Sequence, residues 1–284
     1  MSTATPAPPL TLLYVPGDRA DRVRKALASD ADVVLLDLED AVAPAHKALA
    51  RDTVVRLLRE LPPRPVQVRV NALGTPWAAD DLAAVAHLPP AVGLCLPKVE
   101  SSADVARAVA ASGGGRAVHC LIESAFGVER AYEIACGDPA VASVGLGEAD
   151  LRSELGLSEW RRDDDALGWC RGRIVVAARA AGLPAPTQAV YPDVGDLDGL
   201  AASCRQGRRS GFLGRTAIHP RQLPVIRDAF LPDEAEVSRA REIVARVGQA
   251  RESGSGVVVL DDGSFLDAAM VAGAQRTLAL ARYR

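Results

Sequence analysis

No stretch of this 284-residue sequence approaches the roughly 20 consecutive apolar residues of a membrane helix, although 49% of the chain is hydrophobic. Basic residues do not dominate either: 33 Lys and Arg against 36 Asp and Glu leave a formal net charge of −3. That balance provides no basic face, so neither nucleic acid nor an anionic membrane is an expected partner. The five cysteines, Cys95, Cys120, Cys136, Cys170 and Cys204, form an odd, scattered set without a CxxC pair. They fit reduced thiols in a cytoplasmic protein, with Cys95 and Cys120 as strand packing. The opening MSTATPAPPL has no basic n-region and no apolar h-region, so residues 1–10 are expected to form a short flexible tail rather than a signal peptide. No G-x-G-x-x-G follows the first apolar run, where YVPGDRAD offers Gly17 alone; this argues against a dinucleotide-binding fold.

What the chain does have is one pattern, repeated. Eight short runs rich in Val, Leu and Ile each end in polar or Gly/Pro residues: LLYVPG, VVLLDLED, VQVRVN, GLCLPK, VHCLIES, VASVGLG, TQAVYP and GFLGRTAIHP. Most lack the strict polar alternation of a half-exposed strand, as expected where helices cover the outer side of a parallel sheet. Between most of them lie segments at helical spacing, such as DRADRVRKALAS and HKALARDTVVRLLREL. An open doubly wound sheet shows the same alternation, but the missing glycine fingerprint tilts the reading to an α/β TIM (β/α)₈ barrel over residues 11–230. After Pro232 the organisation changes. A charged helix with Asp233 as N-cap, a Gly-Ser-Gly, a short strand and a last helix make residues 231–284 a C-terminal helical arm, packed on the barrel or reaching a neighbouring subunit.

Chemistry in such a barrel sits at the C-terminal ends of the strands. Glu123 in LIES and Asp150 in GLGEAD close successive strands, whose ends lie about 5 Å apart in a barrel, close enough for both carboxylates to meet one ion. Two carboxylates leave most of an octahedron open, which suits Mg²⁺ completed by water and substrate oxygens. The alternative is that each merely caps the helix that follows. Arg69 in VRVN is flanked by Val68 and Val70, so alternation points it away from both; there it grips a substrate carboxylate in a fork, or forms a structural ion pair with Glu39 or Asp37. Asp37, Glu39 and Asp40 end the second run, placed to orient the metal ligands, though Asp40 also fits a helix cap. The backbone N–H groups of Gly147, Glu148 and Ala149 are candidate donors to an anionic substrate at a helix start.

LYVPGDRADRVRKA, DVVLLDLEDAV, VRVNALGTPW, LCLPKVES, CLIESAFGVERAYEIA, VASVGLGEADL, AVYPDVGDLDGL, GFLGRTAIHPRQ and DDGSFLDAAMVAGAQRTL resemble, in order, the blocks of the citrate lyase beta-subunit family. That family is a branch of the HpcH/HpaI aldolase superfamily, which also holds malyl-CoA lyases. The resemblance implies a TIM barrel binding Mg²⁺ through Glu123 and Asp150, with Arg69 on the carboxylate of a 2-oxo acid such as oxaloacetate. It implies a reversible Claisen-type cleavage of a 3-hydroxyacyl thioester, carried by CoA or an acyl carrier, into an acetyl thioester and an oxo acid. It also implies a homo-oligomer, trimer or hexamer, and a catalytic aspartate from the C-terminal segment, often a neighbour's, which Asp267 in GSFLDAA matches.

The chain departs from the family at its start. Leu10 and Thr11 stand where relatives commonly carry Arg-Ser, which removes a cation near the barrel mouth and bears on thioester-tail contacts. His219 in AIHP is a lone histidine after a strand and fits a structural role, and Asp163, Asp164 and Asp165 fit a solvated loop. Two functions follow as expectations: a Mg²⁺-dependent carbon–carbon lyase, or a non-catalytic subunit that binds oxo acid and metal without turnover. Retention of Asp267 favours the lyase.

Overall fold

The computed structural model describes residues 8–60, 64–157, 165–252, 258–259, 265–266 and 268–284. Asp163, Asp164 and Asp267 lie outside the described residues. The chain forms two compact units, one of Pro9–Arg227 and one built on Asp228–Arg284.

Among the described residues the larger unit holds seven parallel strands: β1 (Thr11–Pro16), β2 (Val33–Asp37), β3 (Val66–Arg69), β4 (Val92–Leu96), β5 (Val118–Ile122), β6 (Val141–Leu146) and β7 (Arg215–Ala217). Their order is β6-β5-β4-β3-β2-β1-β7. The helices between them include α1 (Ala20–Leu27), α2 (Lys47–Glu60), α3 (Ala78–Ala86), α4 (Ser102–Ala111), α5 (Ala125–Glu129), α6 (Ala131–Cys136), α7 (Glu148–Glu154), α8 (Gly168–Ala180) and α9 (Leu197–Arg209). Every residue of β2 and of β4 is buried, which is why those runs carry no polar alternation. Register is continuous across the strand ends, with Asp37 beside Arg69 and Arg69 beside Cys95.

Eight strands are expected from the sequence and seven are found. The seventh run, TQAVYP, gives one parallel bridge, Gln188 to Arg215, and no ladder joins it to β6 among the described residues. Proline explains the shortfall: Pro184, Pro186 and Pro192 bracket the run, and a residue without an N–H cannot donate to a ladder. Among the described residues the architecture is thus a parallel α/β sheet of seven strands, and no ladder closes it into a full ring.

The smaller unit holds α11 (Glu234–Glu252), a hairpin of β8 (Val258–Val259) and β9 (Phe265–Leu266), and α12 (Ala268–Ala281), preceded by α10 (Gln222–Phe230) at the junction. Asp233 and Glu236 cap α11 reciprocally: the Glu236 N–H donates to Asp233 Oδ1 at 2.7 Å and the Asp233 N–H to Glu236 Oε2 at 2.9 Å. Ala240, Ile243 and Val247 on α11 pack with Val271 and Ala274 on α12, a helical stripe that gives this unit its own small core.

Candidate functional site at the strand ends

The C-terminal ends of β1, β2, β3, β5 and β6 open onto one cavity of about 470 Å³, whose walls include Tyr14, Arg69, Glu123 and Asp150. Alternation along the strands sets that lining. Leu121 on β5 and Glu123 just past its end line the cavity, as do Gly145 and Leu146 at the end of β6, while Ile122 is fully buried.

Glu123 is 6% exposed. It is not a helix cap, because Ser124 caps α5 by accepting the Gly127 N–H at 3.1 Å. Asp150 is no cap either, since it lies within α7. Gly147 exists to admit Glu123: a Cβ there would lie 2.2 Å from Glu123 Oε1. Glu123 Oε2 accepts the backbone N–H of Lys98 at 3.1 Å. Burial, then the neighbouring charge of Glu39, push the Glu123 carboxyl up to about 8.

Arg69 lines the cavity and is heavily engaged. Its Nε and Nη2 donate to the two oxygens of Asp37 at 2.7 and 2.6 Å, and its Nη1 stands 3.1 Å from Glu39 and 3.8 Å from Asp40. The guanidinium also lies over the Tyr14 ring, 4.8 Å from its centroid. Of the two sequence readings, the structural ion pair is present, and a substrate would meet the Nη1 edge rather than the whole fork. Asp37, fully buried, further accepts the N–H groups of Glu39 and Ala41 at 2.9 and 3.0 Å, tying the loop after β2 to β3. Burial pushes the Tyr14 hydroxyl and the Cys95 thiol well up, so both are neutral packing groups beneath the arginine.

Lys98 received no role in the sequence analysis. Its Nζ lies 3.0 Å from Asp150, 3.2 Å from Glu39 and 3.7 Å from Asp40. Those contacts hold its ammonium pKa up. Glu39 is raised, chiefly by its burial, and although both its oxygens touch cations, neither has an aligned hydrogen bond. Five carboxylates (Asp37, Glu39, Asp40, Glu123, Asp150) thus face two cations (Arg69, Lys98), a surplus of three negative charges when all are ionised. The only sequence signal for Lys98 was a Pro-Lys pair ending a strand.

The three expected backbone donors are reduced. The Gly147 N–H donates to the Ile122 carbonyl at 2.9 Å, which leaves the N–H groups of Glu148 and Ala149. The Glu148 side chain is forked with Arg171 at 2.8 and 2.6 Å and forms cavity wall with buried Arg152. His219 is exposed, and its Nδ1 accepts the Arg221 N–H at 3.1 Å, a turn contact away from the cavity. All five cysteines are free, with Cys95 and Cys120 buried in strands.

These residues fit a divalent ion. Buried Glu123 has its carboxyl pushed up to about 8, by burial and then by Glu39, and the Lys98 ammonium is shared among Glu39, Asp40 and Asp150, so further positive charge is accommodated here. Among the described residues no three His, Cys, Asp or Glu side chains converge on one point. An ion here would take two carboxylates and complete its shell with water and ligand oxygens, the habit of Mg²⁺.

This chain is similar to known proteins over most of its length. A family model described as HpcH/HpaI aldolase/citrate lyase matches residues 10–220. A (3S)-malyl-CoA thioesterase of Cereibacter sphaeroides is 38% identical over 273 residues, covering 95% of this chain and 94% of its own. An L-malyl-CoA/beta-methylmalyl-CoA lyase of the same organism is 32% identical over 303 aligned positions, with 94% and 93% covered. The crystal structure of CitE from Mycobacterium tuberculosis, in complex with magnesium, acetoacetate and coenzyme A, superposes with a TM-score of 0.85 at 36% identity, covering 96% of this chain and 98% of that one.

Proposed function

Since the chain belongs to the HpcH/HpaI aldolase/citrate lyase family, we propose that it is a Mg²⁺-dependent carbon–carbon lyase that cleaves a 3-hydroxyacyl thioester of CoA or an acyl carrier into an acetyl thioester and a 2-oxo acid. Glu123 carries the proposal: a buried carboxyl pushed to about 8, aimed into a cavity beside the Asp37, Glu39, Asp40 and Asp150 carboxylates. Glu123 and Asp150 would hold Mg²⁺, which would supply Lewis-acid stabilisation of the alkoxide that must form at the hydroxyl-bearing carbon before the carbon–carbon bond breaks.

The chain's own groups do the rest. Arg69, locked by Asp37 and stacked on Tyr14, presents Nη1 to the oxo-acid carboxylate and fixes the substrate before reaction. Asp37, Glu39 and Asp40 hold Arg69 and Lys98 in place. The N–H groups of Glu148 and Ala149 line the wall against an anionic substrate. Asp267 moves the proton, as base toward the hydroxyl of the substrate or as acid toward the departing thioester carbon.

The same proposal completes the ring as a (β/α)₈ barrel, supported by a cavity lined both by β6-end residues and by Gln188 and Thr216 across the gap. It takes residues 231–284 as an arm and the protein as a homo-oligomer. Exposed Trp169 and Val176, two turns apart on α8 at 63% and 61%, are surface for such an assembly.

A second reading has a specific support, the thioesterase named among the relatives: net hydrolysis to a hydroxy acid and free thiol. Incubating citryl, malyl and citramalyl thioesters with Mg²⁺ separates the two. Oxo acid plus acetyl thioester means lyase. Free thiol with hydroxy acid and no oxo acid means hydrolysis, and no turnover with retained oxo-acid binding means a non-catalytic subunit.

Two effects are expected on this basis. Arg69→Lys keeps the charge but has one ammonium where the arginine both forks Asp37 and presents Nη1, so oxo-acid affinity should fall by about 1.5 to 3 kcal/mol, with a lower Tm because buried Asp37 loses its matched partner. A titration at wild-type affinity would leave Arg69 as a structural residue alone. The second effect is on pH. Glu123 has its folded pKa raised above the ordinary carboxylate value, so its contribution to metal-free stability is fully present below that ordinary value and is lost as pH rises through about 8. Mg²⁺ must displace that proton. Calorimetry in buffers of different ionisation enthalpy should show close to one proton released per ion at pH 7 and almost none well above pH 8.

A further inference from the structure

Lys98 directly follows Pro97 and is the only described non-glycine residue with positive φ, at 52°. A long L side chain adopts that left-handed region at a cost and holds it only where the surroundings impose it. Here one residue touches both candidate ligands by different groups: its backbone N–H meets Glu123 Oε2 at 3.1 Å, and its ammonium meets Asp150 Oδ2 at 3.0 Å. No other cation pairs with Asp150 among the described residues. The ammonium also serves Glu39 and Asp40, which Arg69 shares, so of the two cations it is the one that ties Asp150 to the rest of the acidic cluster when no metal is bound.

We infer that Lys98 is a positioning residue with two separable parts: a left-handed backbone that aims Glu123, and an ammonium that acts as a resident counter-ion which a divalent cation must compete with at Asp150. The inference rests on the reading of Glu123 and Asp150 as metal ligands. Its consequence is that the protein stays folded without metal and takes up the ion more weakly than its carboxylates alone would allow.

Two variants separate the parts. Lys98→Asn removes the ammonium but tolerates the left-handed region, since asparagine is enriched there; Lys98→Ala removes the ammonium and strains the backbone as well. Lys98→Asn should lower the Tm in EDTA by about 2 to 4 °C. It should also bind Mg²⁺ alone more tightly, on the order of tenfold by calorimetry, because a neighbouring positive charge is gone. A purely structural lysine would give no gain in affinity. Lys98→Ala should lose part or all of that gain, because Glu123 is no longer aimed. Unchanged or weaker Mg²⁺ binding in Lys98→Asn overturns the competition, and equal affinities in the two variants overturn the backbone's part. If the wild type takes up no Mg²⁺, the ligand assignment has failed, and the counter-ion role then stands or falls on the Tm in EDTA alone.

Discussion

Glu123→Ala should abolish Mg²⁺ binding while leaving the fold intact. One of the two proposed charged ligands disappears, and the other, Asp150, is already paired with Lys98 at 3.0 Å, so the ion would have to break an ion pair to gain a single carboxylate. A loss of at least about 100-fold in affinity is the expected scale, since even groups that only orient ligands are worth 10- to 100-fold. The fold should survive because the side chain sits at the strand end rather than between sheet and helices. In the folded protein its ionised form is disfavoured, the pKa being pushed to about 8 chiefly by burial. Glu123→Gln makes the sharper control: equal in volume and neutral, it should also lose Mg²⁺ yet match or exceed the wild-type Tm in EDTA at pH 9, where the native carboxylate is charged. Calorimetry with Mg²⁺ alone decides, and an unchanged dissociation constant in either variant would remove Glu123 from the ligand set.

The sequence made much of this site legible, for a physical reason. Strand residues buried on both faces leave continuous apolar runs, so the polar residue that ends each run stands out, and that is how Glu123, Arg69 and the Asp37–Asp40 cluster were found. Alternation placed Arg69 on the cavity side, where it lies. What it met there was not visible: the fork onto Asp37 joins residues 32 apart in sequence, a contact set by strand order rather than by local pattern. Lys98 was missed because its importance lies in a backbone dihedral and in three carboxylates from one other loop and a helix. Gly147 was singled out as a donor, whereas its N–H is taken by Ile122 and its missing Cβ is what matters. The seventh run was overestimated because apolar content predicts burial, while pairing also needs N–H donors that its bracketing prolines lack.

Asp267→Asn should leave Mg²⁺ and oxo-acid binding nearly unchanged and cut turnover by about 10² to 10⁴-fold, the usual worth of a positioned acid or base. The separation follows from the proposed roles: with Glu123 and Asp150 on the ion and Arg69 on the carboxylate, none of the binding groups is altered. Asparagine keeps the size and hydrogen-bonding capacity of the side chain but cannot carry the proton between oxygen and carbon. The residue lies in the sequence segment after Pro232, and its delivery from a neighbouring chain is testable directly. Mixing the inactive Asp267→Asn chain with the inactive Glu123→Ala chain should restore partial activity, because some sites in a mixed oligomer then hold one intact copy of each residue. Failure of rescue in verified mixed oligomers means delivery within one chain. Full activity in Asp267→Asn alone would remove Asp267 from the chemistry. Of the acidic groups at the cavity, Asp37 is locked to Arg69 and Glu39 is shared between Arg69 and Lys98. The proton would then have to travel through Asp40, the exposed member of the cluster, or through water.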